Sequence, residues 1–315
     1  MFKQITIVGT GLIGGSLGLA LKRARFRGTV VGCDTPEVLA QAKKRRAIDR
    51  GATDVGQAVR GSDLVVLATP VGAIIDFLDR LGPLLPRNVF ITDVGSTKQE
   101  IVARARHVFG DAAPHRFLGG HPMAGKEHGG IAHADAALFR DAIWFLTSEQ
   151  DAGKTGPAAD WAALVRKLGA RVVTISPERH DQLVAWTSHL PQMLATALAS
   201  SLADFAERFG DDHAPRQSAG RALHDMTRIA SSPYHMWRDI ALTNTANIEA
   251  ALLALEQKLA HIRDNLRTRG LEEEFQRAGA FHHGGTESRS QKAAAPATRR
   301  RLRQAGKKRL RSRRR

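Results

Sequence analysis

Six residues near the start of the chain have the types and spacing to hold a dinucleotide. Gly9-Thr10-Gly11-Leu12-Ile13-Gly14 follows directly on the apolar run Ile5-Thr6-Ile7-Val8. Gly9 permits a tight turn out of a strand, Gly11 lets backbone approach a pyrophosphate, and Gly14 lets the next helix pack close to a sheet. The phosphates of such a ligand sit at the helix N-terminus, at Leu12 and Ile13, where unpaired N–H groups and the helix dipole favour negative charge. Asp34 ends a second apolar run, Thr29-Val30-Val31-Gly32-Cys33, twenty residues past Gly14. A carboxylate there accepts hydrogen bonds from adenosine ribose hydroxyls and repels a 2′-phosphate, so NAD is expected over NADP. Asp34 could also be a turn residue beside Pro36. The cluster Lys43, Lys44, Arg45 and Arg46 could reach a 2′-phosphate and keeps NADP open.

Hydride transfer from an alcohol needs a group that takes up a proton as the hydride leaves. His121, at the end of Phe117-Leu118-Gly119-Gly120, is placed for this, and neutral imidazole has the right basicity near pH 7. A histidine before Pro122 in a glycine-rich loop could instead bond its own backbone. Two other strand ends carry polar groups: Ala68-Thr69-Pro70, and Asp93-Val94-Gly95-Ser96-Thr97-Lys98 after Val89-Phe90-Ile91-Thr92. Ser96 or Thr97 could equally cap a helix that begins near Lys98.

Strands must bring these groups together at their carboxyl ends. Apolar runs predict strands at 4–9, 29–33, 63–68, 88–92, 116–120, 143–147 and 171–175, alternating with helical stretches. That pattern is an α/β fold, a Rossmann-type doubly wound and mostly parallel sheet. After Pro177 the chain turns to Ala- and Leu-rich stretches with helical periodicity, 178–209, 214–230 and 234–268. The expected organisation is an NAD-binding domain over 1–176, an all-helical substrate and dimerisation domain over 177–280, and a basic tail over 281–315. Residues 149–157 are expected to be a surface loop inside the nucleotide domain.

The net charge of +16 suggests a nucleic-acid partner until it is placed along the chain. Residues 281–315 carry 13 Lys and Arg against the single acid Glu287, so +12 lies there and residues 1–280 are left at +4. The tail has no aromatic beyond Phe281 and little apolar content, which predicts disorder and at most weak, salt-dependent polyanion binding. No apolar run approaches a membrane span, and no cleavable leader precedes the first strand, so a cytoplasmic protein is expected. Cys33 is the one cysteine, which excludes an intramolecular disulfide and a thiolate zinc site; no metal is expected.

Four segments together narrow the reading. Gly119-Gly120-His121-Pro122-Met123-Ala124-Gly125-Lys126-Glu127, Asp93–Lys98, Ser188-His189-Leu190-Pro191-Gln192 and Asp225-Met226-Thr227-Arg228-Ile229-Ala230 match in order and spacing. From about residue 3 to about residue 270, the chain resembles the prephenate/arogenate dehydrogenase family. The resemblance implies NAD-dependent oxidative decarboxylation of prephenate to 4-hydroxyphenylpyruvate in tyrosine biosynthesis. Hydride leaves the hydroxyl-bearing ring carbon, CO2 leaves the opposite one, and the ring becomes aromatic.

It further implies that His121 accepts a hydrogen bond from the ring hydroxyl, that Ser96 helps orient it, and that Arg228 engages the ring carboxylate. Glu127 and Asp225 match acidic residues of a polar network that shapes the pocket, Ser188 lies near that network, and Thr69 and Pro70 fall on the cofactor side. His189 reads as structural. An ion pair with Asp225, three residues earlier on one helix face, is another role for Arg228. Gln192 departs from the histidine common in prephenate-using members; a neutral amide can serve a keto-acid or an amino-acid side chain, which leaves arogenate or dual use as the alternative. The resemblance also implies a homodimer built on apolar helix faces such as Leu252, Leu253, Leu255 and Leu259, which could instead be monomer core. Outside this class stands a non-catalytic NAD sensor with a nucleic-acid-binding tail.

Overall fold

The computed structural model describes residues 2–126, 128–147, 155–210 and 217–283. Eight strands form one sheet: β1 (Gln4–Val8), β2 (Thr29–Cys33), β3 (Arg50–Ala52), β4 (Leu64–Leu67), β5 (Phe90–Asp93), β6 (Phe117–Pro122), β7 (Ile143–Thr147) and β8 (Arg171–Ile175). All but β3 fall on the apolar runs. Arg50-Gly51-Ala52 has no apolar run to reveal it and becomes a strand only because it lies in register beside Val31–Cys33 at the sheet edge. The order is β3-β2-β1-β4-β5-β6-β7-β8, parallel through β6; β7 runs antiparallel to β6 and β8 parallel to β7. The direction of winding reverses between β1 and β4, and the crevice beyond their carboxyl ends is where such sheets bind ligands.

Among the described residues seven α-helices join these strands: α1 (Leu12–Arg23), α2 (Pro36–Lys44), α3 (Val55–Ala58), α4 (Val71–Leu81), α5 (Gln99–Phe109), α6 (Ala113–Arg116) and α7 (Gly156–Lys167). The strands are apolar on both faces because helices cover both. Ile5, Ile7, Leu64 and Val66 share one core with Leu17 and Leu21 of α1 and Trp161 and Val165 of α7. Val8, Val65 and Leu67 point the other way, to Ile74 and Leu78 of α4 and Ile101 of α5. Burial of each such side chain contributes about 1.5–3 kcal/mol. Residues 149–154 of the expected surface loop lie outside the described residues; α7, which follows, leads on into β8.

Ser176 caps the next helix, accepting from the Arg179 N–H, and Pro177 stands at its first position. The helical region then comprises α8 (Pro177–Val184), a π-helical turn (Ala185–His189), α9 (Leu190–Phe209), α10 (Arg221–Thr227), a 3₁₀ turn (Arg228–Ser231), α11 (Tyr234–Thr243) and α12 (Thr245–Asp264); residues 269–283 are also helical. The stretch expected as helix over 178–209 is therefore interrupted in its first half by the π turn, a feature common at functional positions.

The chain divides into two compact units, 1–251 and 252–315, with the division inside α12. Within the first, α8 packs against α5 and β7. Asp239 of α11 accepts the Gly72 N–H at the start of α4, at 3.1 Å. In the second, Lys258 pairs with Glu274 at 2.7 Å. Among the described residues no helix is long and apolar enough to cross a membrane.

Candidate active site

The glycine loop has the shape a dinucleotide requires. Gly9 leaves β1 at φ +90°, and a Cβ there would meet the Ala68 carbonyl oxygen at 2.5 Å, so β1 and β4 close on one another at the switch point. A Cβ on Gly14 would stand 1.9 Å from the Gly9 carbonyl oxygen. Gly11 differs: nothing lies within 4 Å of where its Cβ would be, which leaves the backbone open to a phosphate beside Leu12 and Ile13 at the start of α1. Thr69, beyond β4, has a buried hydroxyl with no partner among the described residues, and Pro70 begins the turn into α4. The residues present fit a bound dinucleotide.

Asp34 is tied into the glycine loop. Its Oδ2 accepts the Thr10 N–H at 2.6 Å and the Thr10 hydroxyl at 3.2 Å, and its Oδ1 accepts the Thr35 N–H at 2.8 Å. The carboxylate thus braces the loop that would carry the phosphates. Of the basic cluster, Arg45 is committed elsewhere, donating to the carbonyls of Ala132 at 2.6 Å and Ala134 at 2.7 Å. Cys33 is buried, and its thiol is pushed up to about 11 by desolvation and then by Asp34 and Asp54, which leaves it a packing residue.

His121 is 8% exposed on β6 and sits opposite Phe145 of β7. Its Nδ1 lies 2.9 Å from Nε2 of His180, whose own Nδ1 is 2.7 Å from Oδ1 of Asp181. Asp181 also receives the N–H groups of Lys98 at 2.8 Å and Gln99 at 2.9 Å. The first turn of α5 is therefore capped by a carboxylate from α8, and neither Ser96 nor Thr97 fills that role; the Thr97 hydroxyl meets that of Thr243 at 2.7 Å. Lys98 is wholly buried, pairs with Asp93, and donates to the Gly120 carbonyl at 2.8 Å. Asp93 in turn accepts the N–H groups of Gly120 and Gly95. These bonds tie the loop that carries half-buried Ser96 to the residue next to His121.

Burial sets the protonation of the cluster. Desolvation first, then His180, Lys98 and His189, hold His121 well below the ordinary histidine range. His180 is lowered by burial against its bond to Asp181, and His189 is pushed down to about 4 by burial, with Asp181 opposing. Burial also lowers Lys98, against the pull of Asp93. At neutral pH His121 is an uncharged imidazole, able to accept.

The helical motif reaches the same cluster. His189 closes the π turn with Nδ1 3.1 Å from the Asn244 amide, which also donates to the Asp181 carbonyl at 3.0 Å, and its ring stands edge-on to Trp237. The ring is held on both sides by these contacts. The Trp237 indole N–H is buried without a partner among the described residues. Gln192 is 4% exposed, and its amide nitrogen donates to the Ile229 carbonyl at 3.0 Å and the Thr196 hydroxyl at 3.3 Å. That first bond brings the 3₁₀ turn that begins with Arg228 against α9. Arg228 and Asp225 are exposed in the single chain, Ser188 is half-buried, and Glu127 lies outside the described residues. The sequence did not single out His180, Asp181 or Asn244: an adjacent His-Asp pair in a helix's first turn is ordinary surface composition until packing buries it.

Known proteins resemble this chain in sequence and fold. The family model described as prephenate dehydrogenase, nucleotide-binding domain, matches residues 17–174, and the one described as prephenate dehydrogenase, dimerization domain, matches 176–278. The chain belongs to the prephenate dehydrogenase family. It is 32% identical over 243 residues to the family's Lactococcus lactis subsp. cremoris prephenate dehydrogenase, covering 77% of this chain and 65% of that protein. The chain thus spans a little under two thirds of the length of that relative. A cyclohexadienyl dehydrogenase of Zymomonas mobilis is 34% identical over 271 residues, 85% of this chain and 88% of its own. Among solved structures of the family, A. aeolicus prephenate dehydrogenase in complex with hydroxyphenyl propionate and NAD+ superposes with a TM-score of 0.78 at 29% identity, over 92% of this chain and 98% of that one.

Proposed function

We propose that this chain is an NAD-dependent prephenate dehydrogenase acting in the cytoplasm, oxidising and decarboxylating prephenate to 4-hydroxyphenylpyruvate. The observation that carries the proposal is a buried, neutral His121 at the end of β6, in a sheet whose switch point presents the open Gly11 backbone. Gly9, Gly11, Gly14, Leu12 and Ile13 hold the pyrophosphate, Asp34 the adenosine ribose, and Thr69 with Pro70 lines the cofactor cleft. When bound, NAD+ accepts the hydride. His121 accepts the ring hydroxyl's hydrogen bond and takes its proton as the hydride departs, and Ser96 orients the same hydroxyl. Arg228 holds the ring carboxylate that leaves as CO2, with Glu127, Asp225 and Ser188 in the polar network around it. A non-catalytic NAD sensor would have no use for this set.

The proposed domains are 1–176 for NAD, 177–280 for substrate and dimerisation, and 281–315 as a basic tail with weak affinity for polyanions. The proposed homodimer is supported by the dimerization-domain match and by Leu253 and Leu259, which are 56% and 51% exposed in the single chain.

One observation favours a second reading, use of arogenate. Both N–H groups of Gln192 are engaged within the protein, so the group it offers a ligand is its carbonyl oxygen, which suits an ammonium better than a keto group. Initial rates with prephenate and with arogenate, each with NAD, separate the two: higher kcat/KM for prephenate supports the main proposal, and higher kcat/KM for arogenate replaces it with the second.

A further inference from the structure

We propose that His180 and Asp181 are positioning residues that fix the tautomer of His121, leaving its Nε2 bare toward the substrate and supporting the charge the ring takes on. The inference rests on the reading that this chain oxidises a ring hydroxyl. The Asp181 oxygens accept the N–H groups of Lys98 and Gln99 at the start of α5, so the carboxylate is held as an acceptor. The His180 Nδ1, 2.7 Å from Oδ1, must therefore donate. A neutral His180 with hydrogen on Nδ1 has a lone pair on Nε2. That lone pair faces His121 Nδ1 at 2.9 Å, so His121 in turn carries its hydrogen on Nδ1. The one ring nitrogen left unprotonated is His121 Nε2.

The reverse arrangement would set a lone pair of His180 against a carboxylate oxygen at a site where both residues are 0% exposed. Packing keeps the rings in place: Phe145 stands edge-on to His180, with centroids 5.2 Å apart, and His121 is edge-on to His180 at 5.1 Å. Lys98, Asp93 and His189 are the other titratable groups around this cluster. Burial favours the neutral form of both histidines.

The same contacts serve the reaction. As hydride leaves the ring carbon with its electron pair for NAD+, the hydroxyl proton passes to His121 Nε2 and the O–H electrons move toward carbon. The carboxylate's C–C pair then enters the ring as CO2 departs, and Nε2 returns the proton to the phenolic oxygen. While His121 is charged, its Nδ1–H still donates to His180, with the Asp181 charge one ring behind, so the orienting group stays anionic and never takes the proton, as in hydrolase triads.

Three measurements on the full-length protein test this. In the wild type, ¹⁵N NMR of labelled histidine should show His121 with a protonated Nδ1 and an unprotonated Nε2; a proton on Nε2 overturns the proposal. His180→Phe, which keeps a ring but removes both nitrogens, should lower kcat by about 10²-fold, the low end of general-base help. The KM values for NAD and substrate should change no more than about threefold. His180→Gln places a carbonyl oxygen where Nε2 accepted and should recover most of that loss. A His180→Phe enzyme as fast as wild type, or a His180→Gln enzyme as slow as His180→Phe, overturns it. The NMR result needs no turnover, so a protein inactive on prephenate would refute the functional reading while leaving the tautomer assignment testable.

Discussion

In the proposed reaction His121 Nε2 meets the substrate without a proton: burial keeps the ring neutral, and the contact with His180 decides which nitrogen is bare. Because desolvation moves the titration of this histidine to lower pH, the neutral form persists below pH 6.5, and kcat/KM should hold level on the acid side of the ordinary histidine value before falling. Replacement by Asn should lower kcat by roughly 10²–10⁴ with modest change in KM, and unchanged turnover would remove His121 from the chemistry. Asp34 makes a separate, electrostatic prediction. Asp34→Asn keeps an oxygen for the Thr10 N–H but loses the charge that repels a 2′-phosphate, so the ratio of NADP to NAD kcat/KM should rise about tenfold, about 1.4 kcal/mol. Candidates of this kind were legible in the sequence because glycines, an aspartate at a strand end and a Gly-Gly-His-Pro segment stand out by type and spacing. His180 and Asp181 were not, since their meaning comes from a contact with Lys98 and Gln99 more than eighty residues away.

At the scale of elements, the site is an assembly of strand ends locked by buried charge. Lys98 and Asp93 are wholly buried and together join the end of β5 to Gly120 on β6. Lys98→Met leaves Asp93 without its counter-ion and should cost about 3–5 kcal/mol in urea unfolding; a loss below about 1 kcal/mol would show that the pair does not hold the loop. Apolar runs revealed all the strands but β3, whose three residues pair only through neighbouring β2. The helix over 178–209 was legible as periodicity, but the π turn at Ala185–His189 was not, because a one-residue widening of a helix leaves no mark on composition.

Across the whole molecule, buried histidines make stability depend on pH. His121, His180 and His189 all titrate at lower pH in the folded state than in the unfolded one, so the unfolded chain binds more protons between the two. Their stabilisation is complete above about pH 6.5 and is lost as pH falls toward about 4, where His189 titrates when folded. Tm should decline through that window, and His189→Gln should flatten part of the decline; a Tm constant from pH 7 to pH 4.5 would contradict the assignment. The order of a nucleotide-binding region followed by a helical one was legible from the switch in periodicity near Pro177. The division of the folded chain inside α12 was not, because helical periodicity runs unbroken through 234–268.

The most direct test of the functional proposal follows the products of one reaction in the purified full-length protein. With prephenate and NAD+, equal amounts of NADH, CO2 and 4-hydroxyphenylpyruvate should form, and His121→Asn should suppress all three together. A folded protein that binds NAD+ yet forms no NADH with either prephenate or arogenate would contradict it.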